Sequence, residues 1–482
     1  MRPLPATDKP VALCFPCQAN RDSAAMTKPV PLKATLRTIF DFHVLMTLAL
    51  RGWTLLAGLL TVIAVPHWLS ATEQGYYFAF GSLIALQLFF ELGFSYVVTQ
   101  YAARQLPLLT WTDGWIGGAP VGVARVARLL HIASRAYAII GMAFFVLVGL
   151  AGTWFFSSAQ ATALPWLLSW WMMVAMTAGN LMVSPWLAVA EGLGRVGNVA
   201  RVRTMQSIVG YGLAWSLMAT GMGLFALPAI AGAALFGSLV WLYRDSRDLR
   251  RLRCRGHDAA ARNALSWRRD LLPFQWRIAM SWASGYIIFQ LFTPITFRLY
   301  GPVAAGQIGL ILAITSSLSM LAMSWVNAKA PEITRLLASS DVAAAKRLFL
   351  RQACASSATH IIAMLGLLGG TVIARALGLA WSERLPPMDV LLAVVAASVC
   401  SQLIFSMAVF IRAHGHEALM WPSIWTGIMT LAMVTVLAPQ GVAAAMFGYA
   451  AVQAFLCLPW VAWIFFRKFW SGNGLQGMQH AG

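Results

Sequence analysis

Long apolar runs alternate with short polar breaks along nearly the whole chain. Runs of about 17 to 25 apolar residues have the length an α-helix needs to cross bilayer hydrocarbon. Scanning for them gives twelve candidate spans: 46–66, 78–99, 137–157, 165–189, 204–221, 223–243, 273–297, 303–327, 352–373, 388–411, 420–437 and 441–466. The fifth and sixth are divided by little more than Gly221, Met222 and Gly223, a glycine turn that suits two antiparallel spans. The longest polar break, Arg244 to Asp270, falls midway and leaves six spans on each side. The pattern predicts an all-α polytopic membrane protein of about twelve transmembrane helices in two six-helix lobes. Its expected divisions are a cytoplasmic tail over 1–45, a first lobe over 46–243, a basic linker over 244–272, a second lobe over 273–466 and a tail over 467–482.

Positive residues are retained on the cytoplasmic side during insertion, so their placement sets the orientation. With both termini inside, all but four of the 35 lysines and arginines fall in cytoplasmic segments. The exceptions are Arg298, Arg375 and Arg384 outside and Arg51 within the first span. The opposite orientation would export the arginine-rich loop beginning at Arg244. Both termini are therefore expected to be cytoplasmic.

Composition agrees with the pattern: 59% of residues are hydrophobic and only 11% charged, against about a quarter charged in soluble domains. The net charge of +19 is spread in short clusters between apolar spans, which reads as membrane topology and excludes nucleic acid as a partner. The six cysteines form no metal-ligand or disulfide pattern, since the lone C-F-P-C at Cys14 and Cys17 has no second pair. Residues 1–32 are polar, with no apolar core of a secretory signal. Met26 opens a more natural-looking start, so the first 25 residues are expected to reflect an over-extended reading frame.

A weak internal repeat is visible. Shifting the chain by 231 residues aligns Gly75 with Gly306 and Arg104 with Arg335, in the second and eighth spans, whereas Glu91 aligns with Ala322. Parallel repeats of this kind place a substrate path between lobes.

An ionisable side chain inside hydrocarbon costs roughly 2.5 to 3.5 kcal/mol on insertion scales, so each one points to a protein-lined or watery interior. Arg51 lies about 7 Å, and Glu91 about 12 Å, in from the cytoplasmic ends of their spans at 1.5 Å per residue, so the two are expected to meet. One reading has them neutralise each other; another has Arg51 hold an anionic headgroup while Glu91 balances it or takes up a coupling cation. Arg298, Lys329 and Arg412 end spans seven, eight and ten, where cations suit helix C-termini or a phosphate path. His360, Gln87, Gln290, Gln402, Gln453 and Asn180 are polar groups within spans, able to bond neighbouring helices or sugar hydroxyls. Trp53, Trp282 and Trp325 are candidates to stack on sugars.

Catalysis is not expected and no cofactor is called for. The short outer segments offer only Glu73, Glu383 and Asp389 as acids, and no H-E-x-x-H, G-x-S-x-G or phosphate-binding glycine loop occurs.

Three stretches resemble a known family: EQGYYFAFGSLIALQLFFELGFSYVVTQYAARQ from Glu73, SPWLAVAEGLGRVGNVARVRTMQSI from Ser184, and APEITRLLASSDVAAAKRLF from Ala330. Together they resemble the polysaccharide transporters, in particular the O-antigen flippases, of the multidrug/oligosaccharidyl-lipid/polysaccharide flippase superfamily. The resemblance spans roughly residues 34 to 470. It implies a two-lobed helical bundle in the bacterial inner membrane that moves a polyprenyl-diphosphate-linked oligosaccharide by alternating access. Membrane lipids, a polysaccharide polymerase and glycosyltransferases are the further partners it implies. The family often lines its cavity with cations, and Arg51 is the best match here. The alternatives are a cation-coupled multidrug exporter and a non-transport membrane protein of glycan assembly.

Overall fold

The computed structural model describes residues 42–112, 115–157, 164–255, 285–414 and 418–470. The expected tail over residues 1–41, the start of the seventh span at 273–284, most of the linker beyond Arg255, Trp282 and the C-terminal tail beyond Trp470 lie outside these residues.

In a bilayer core the backbone must satisfy its own hydrogen bonds, and long apolar runs therefore fold as helices. The first half holds α1 (Phe42–Trp68), α2 (Ala71–Ile84), α3 (Gln87–Glu91) and α4 (Phe94–Gln105). A two-stranded antiparallel hairpin follows, β1 (Leu109–Thr112) and β2 (Trp115–Gly118). Then come α5 (Pro120–Ser157), α6 (Trp166–Gly192), α7 (Val196–Ala219), α8 (Ala226–Arg244) and the short α9 (Arg247–Arg255). The second half holds α10 (Phe292–Ala338), α11 (Val342–Ala376), α12 (Met388–Ala413), α13 (Met420–Leu437) and α14 (Val442–Ala451). The last helix continues through a π-helical stretch at Val452–Cys457 into α15 (Leu458–Ile464).

Among the described residues, nine helices are long and apolar enough to cross a membrane, or ten if the bent pair Ala71–Glu91 and Phe94–Leu108 is one span. This is an all-α, multi-pass membrane protein. Two of the twelve expected spans do not appear separately in that count. Helix α7 is not among the nine, and the seventh and eighth spans form one continuous helical stretch, Gly285–Ala338, interrupted at Gly301 (φ 83°, ψ 179°).

Three local features depart from the sequence expectation. The second span begins at Ala71, where Ser70 and Glu73 form a reciprocal cap: Ser70 Oγ accepts from the Glu73 N–H at 3.2 Å, and Glu73 Oε2 accepts from the Ser70 N–H at 2.9 Å. It is then broken after Glu91, because Leu92 (φ 48°) and Gly93 (φ 69°) are both left-handed and bend the axis by 45°. The third span starts at Pro120, well before residue 137, and the preceding polar stretch folds into the hairpin.

The first-half core is densely aromatic near the turn from α1 to α2. Tyr76, Phe80, Phe156, Trp166, Trp170 and Phe297 stand with ring centroids 5.0 to 6.5 Å apart, and each such pair adds about 0.5–1.5 kcal/mol beyond area burial. Phe297 comes from α10, so the second half contributes to this core. The second half has two apolar clusters of its own. One gathers Phe292, Leu391, Val434 and Tyr449, the other Phe349, Phe410, Ile411 and Phe465. Helix α2 crosses α10 at Gly75 and Gly306, and Gln74 Nε2 donates to the Gly306 carbonyl at 2.9 Å, closing that end of the molecule.

Candidate functional site

Two cavities with polar side chains in their walls are formed by the described residues of the bundle. The larger, about 630 Å³, sits between the halves. Helix α2 supplies Tyr77, Phe78 and Ser82, the stretch before α10 supplies Phe289 and Gln290, α10 supplies Thr315, Ser316 and Ser319, and α12 supplies Ser398, Ser401 and Phe405. Among the described residues no Asp, Glu, Lys or Arg lines it. The wall is therefore uncharged, with hydroxyls, one amide and aromatic faces set among the apolar side chains of Leu227, Leu312, Met320, Met323 and Val394.

Side-chain chains run from this wall into the second half. Ser319 donates to Gln402 Oε1 at 2.6 Å, Gln402 Nε2 donates to Ser356 Oγ at 2.8 Å, and Ser356 donates to the Ala322 carbonyl at 2.8 Å. One turn away, the buried His360 ring lies with Nε2 3.0 Å from Ser398 Oγ. These bonds hold α10, α11 and α12 together, where lipid-like interiors give no net hydrophobic drive between helices.

The smaller cavity, about 550 Å³, lies within the first half among α3, α4, α6, α7 and α8. Glu91 lines it, at the break between α3 and α4. Tyr137 from α5 donates its hydroxyl to Glu91 Oε1 at 3.0 Å, and Ser95 Oγ lies 2.7 Å from the same Tyr137 oxygen. Asn180, Ser184 and Thr99 complete the polar wall. Thr99 ties α4 to α6 by donating to the Ala188 carbonyl at 3.1 Å. At the far side of the cavity Glu191 pairs with Arg203 at 3.3 Å.

The left-handed Leu92 matters here. A branched L-residue in that region costs about 1–2 kcal/mol, and such strain persists where surrounding packing fixes it. The break it makes takes the backbone out of the helical ladder next to the carboxylate. The lining holds two carboxylates, three amides and several hydroxyls; Arg203 neutralises Glu191, which leaves Glu91 as the carboxylate placed to take up a proton or a small monovalent cation. Among the described residues no three His, Cys, Asp or Glu gather into a multivalent metal site.

Of the five residues expected from sequence to act, only Glu91 lines either cavity. The expected meeting of Arg51 and Glu91 does not occur. The hydrogen bond to Glu91 comes from Tyr137, whereas Arg51 is exposed on α1 and makes no ion pair among the described residues. The reason is facing: Glu91 turns to Tyr137 and a cavity to which, among the described residues, α1 contributes none. Arg51 lies two helical turns before Gly58, on the face whose added methyl at Gly58 would stand 3.9 Å from Ser317 Oγ of α10. Arg51 and Gly58 thus share one face of α1. Lys329 is exposed and pairs with Glu332 at 2.9 Å, and Arg298 and Arg412 are exposed at the helix positions expected of them. Trp53 packs towards Trp215 of α7, with centroids 6.4 Å apart, and so serves the first half internally. Gln290 lines the larger cavity and Asn180 the smaller.

The residues that sequence reasoning missed are the hydroxyl partners: Tyr137, Ser95 and Ser184 around Glu91, and the wall serines and threonines. A signal existed for the wall. Thr315 and Ser319 in α10, and Ser398 and Ser401 in α12, are spaced three or four apart, as one helical face requires.

No family model and no curated protein matches the chain in sequence. Solved structures do match in shape. An inward-facing multidrug resistance MATE family transporter of the MOP superfamily superposes with a TM-score of 0.62 at 12% identity, over 89% of this chain and 96% of the other. The lipid II flippase MurJ, in an inward closed conformation, gives a TM-score of 0.54 at 10% identity, over 87% and 86%. The MATE multidrug transporter DinF-BH gives 0.53 at 13% identity, over 89% and 96%. The fold is the one these transporters share. It spans both halves of the chain, and places the larger cavity between them.

Proposed function

We propose that the protein is a flippase for a polyprenyl-diphosphate-linked oligosaccharide, working by alternating access across a bacterial inner membrane in the service of surface polysaccharide synthesis. The observation that carries this reading is the neutral wall of the interlobe cavity. A glycan is recognised by hydroxyl and amide hydrogen bonds and by aromatic faces, and the wall offers such groups among its apolar side chains. A carboxylate beside the cargo would favour a cationic drug by direct charge attraction. Here the half-buried carboxylate Glu91 lies in the separate first-half cavity.

In this reading the glycan occupies the divide, the polyprenyl tail stays in lipid, and Arg51 on α1 meets the diphosphate as it enters from the cytoplasm. Arg298, Lys329 and Arg412 are secondary stations at helix ends. Glu91 takes up a proton or monovalent cation, and its occupancy biases the α3–α4 break. With both termini cytoplasmic, the close crossing of Gly75 and Gly306 lies on the outer side and acts in this reading as the outer gate. The fold likeness to the lipid II flippase agrees with a lipid-linked cargo.

A multidrug exporter is the second reading, favoured by the higher TM-score of 0.62 to a MATE transporter. Gene deletion separates the two. The flippase reading expects a lipid-linked glycan to accumulate in the cytoplasmic leaflet and surface polysaccharide to shorten or vanish. Unchanged polysaccharide with raised drug sensitivity would overturn it.

A further inference from the structure

Helix α9 turns its apolar residues towards protein. Leu249 and Leu252 are buried, and Asp248 receives both terminal nitrogens of Arg195, the residue that leads into α7. The helix is thereby fastened to the first half. What it leaves outside is a row of cations: Arg247, Arg251 and Arg253 are exposed, Arg250 is half-exposed, and Arg244 stands just before them.

Three of these guanidinium groups are pre-ordered on aromatic rings. Arg251 lies over Trp115 of β2 at 4.0 Å from the ring centre, Arg253 over Trp186 of α6 at 5.7 Å, and Arg250 over Tyr243 at 5.1 Å. Arg250 is held further by a 2.8 Å bond from Nη2 to the Tyr243 carbonyl. Stacking on a ring leaves the edge of a guanidinium available for two parallel bonds to a phosphate. Beside the row, Trp111 and Trp115 of the hairpin are 41% and 39% exposed. Indoles at the edge of a membrane-spanning bundle sit by preference at the headgroup level. Trp186 lies about two turns before the C-terminal end of α6, so the patch stands at that end of the helix.

We infer that α9 and the hairpin form a rigid docking surface for anionic phospholipid headgroups of the leaflet on the arginine-rich side. Within residues 244–255 the only carboxylates are Asp245 and Asp248, and Asp248 is engaged by Arg195. The surface is thus strongly cationic, and its lipid phosphates seat the first half in the leaflet. The inference goes beyond any choice of cargo.

The test uses the detergent-purified full chain and reads the apparent affinity for phosphatidylglycerol against phosphatidylcholine by native mass spectrometry. Wild type is expected to retain phosphatidylglycerol selectively. The variant R247Q/R250Q/R251Q/R253Q is expected to lose at least about tenfold in that affinity, while the matching all-lysine variant keeps most of it. If the quadruple glutamine variant fails to fold, R247Q/R250Q, which leaves Arg251 and Arg253 on their rings, is read instead and is expected to lose several-fold. Equal retention of both lipids by wild type, or an unchanged affinity in the glutamine variants, overturns the inference. So does displacement of phosphatidylglycerol by a stoichiometric polyprenyl diphosphate, which would assign the surface to cargo, or selective capture of RNA.

Discussion

Gly75 and Gly306 stand against each other where α2 crosses α10: a methyl on Gly306 would lie 2.9 Å from the Gly75 nitrogen, and one on Gly75 would lie 2.0 Å from the Pro302 carbonyl oxygen. These are the two residues that the 231-residue shift superimposes. In two repeats related by a twofold axis, equivalent positions close to the axis touch one another. We read this contact as the axis of a six-plus-six arrangement.

The crossing leaves no room for a side chain, so Gly75→Val is expected to push α2 and α10 apart. Overpacking costs about 1–3 kcal/mol, enough to change the population of the outer-closed state by roughly 5- to 150-fold. The check is labelling of Ser316→Cys by an impermeant thiol reagent applied from outside, in a background lacking the natural cysteines. Labelling should rise sharply in the Gly75→Val protein. An unchanged rate would mean that this crossing does not seal the outer side.

Glu91→Gln preserves an oxygen to accept the Tyr137 hydroxyl but removes the charge. It is expected to leave protein levels and melting temperature near wild type, while slowing transport at least about tenfold, the effect of losing an essential charge in a membrane interior. Tyr137→Phe should be milder. Full export activity in Glu91→Gln would reduce the carboxylate to a packing group.

Gln402 is the centre of the Ser319–Gln402–Ser356 chain. Gln402→Leu should lower stability by about 1–2 kcal/mol, since interhelical side-chain bonds in membranes reach that range. Thermal unfolding in detergent measures it. Because Ser319 also lines the interlobe cavity, Ser319→Ala should weaken glycan cargo binding more than it lowers the melting temperature.

Much of the architecture was legible from apolar run length, because a bilayer leaves the backbone few alternatives to helix. What escaped was local. The kink at Leu92 and Gly93 was hidden because the run of apolar residues continues through it, and this moved Glu91 from mid-span to a helix break. The hairpin carried a clear signal in Asp113-Gly114 between Trp111 and Trp115, a dipeptide suited to tight turns. The meeting of Arg51 with Glu91 failed for a physical reason too. Opposite charges at similar depth need facing helices, whereas Glu91 turns to Tyr137 of α5 and Arg51 is exposed on α1. The neutral cavity wall was the least visible feature, since serines and threonines inside spans look the same whether they bond their own helix or a cargo.

The account turns on what occupies the interlobe cavity. The most direct measurement reconstitutes the purified full chain into liposomes carrying a fluorescent polyprenyl-diphosphate oligosaccharide in one leaflet, and follows its appearance in the other with an impermeant glycan-modifying reagent. Transbilayer movement should depend on the protein, fall in Thr315→Val and Ser319→Ala, and show no competition from cationic dyes. Movement of cationic dyes with no transfer of the lipid-linked glycan would contradict the account.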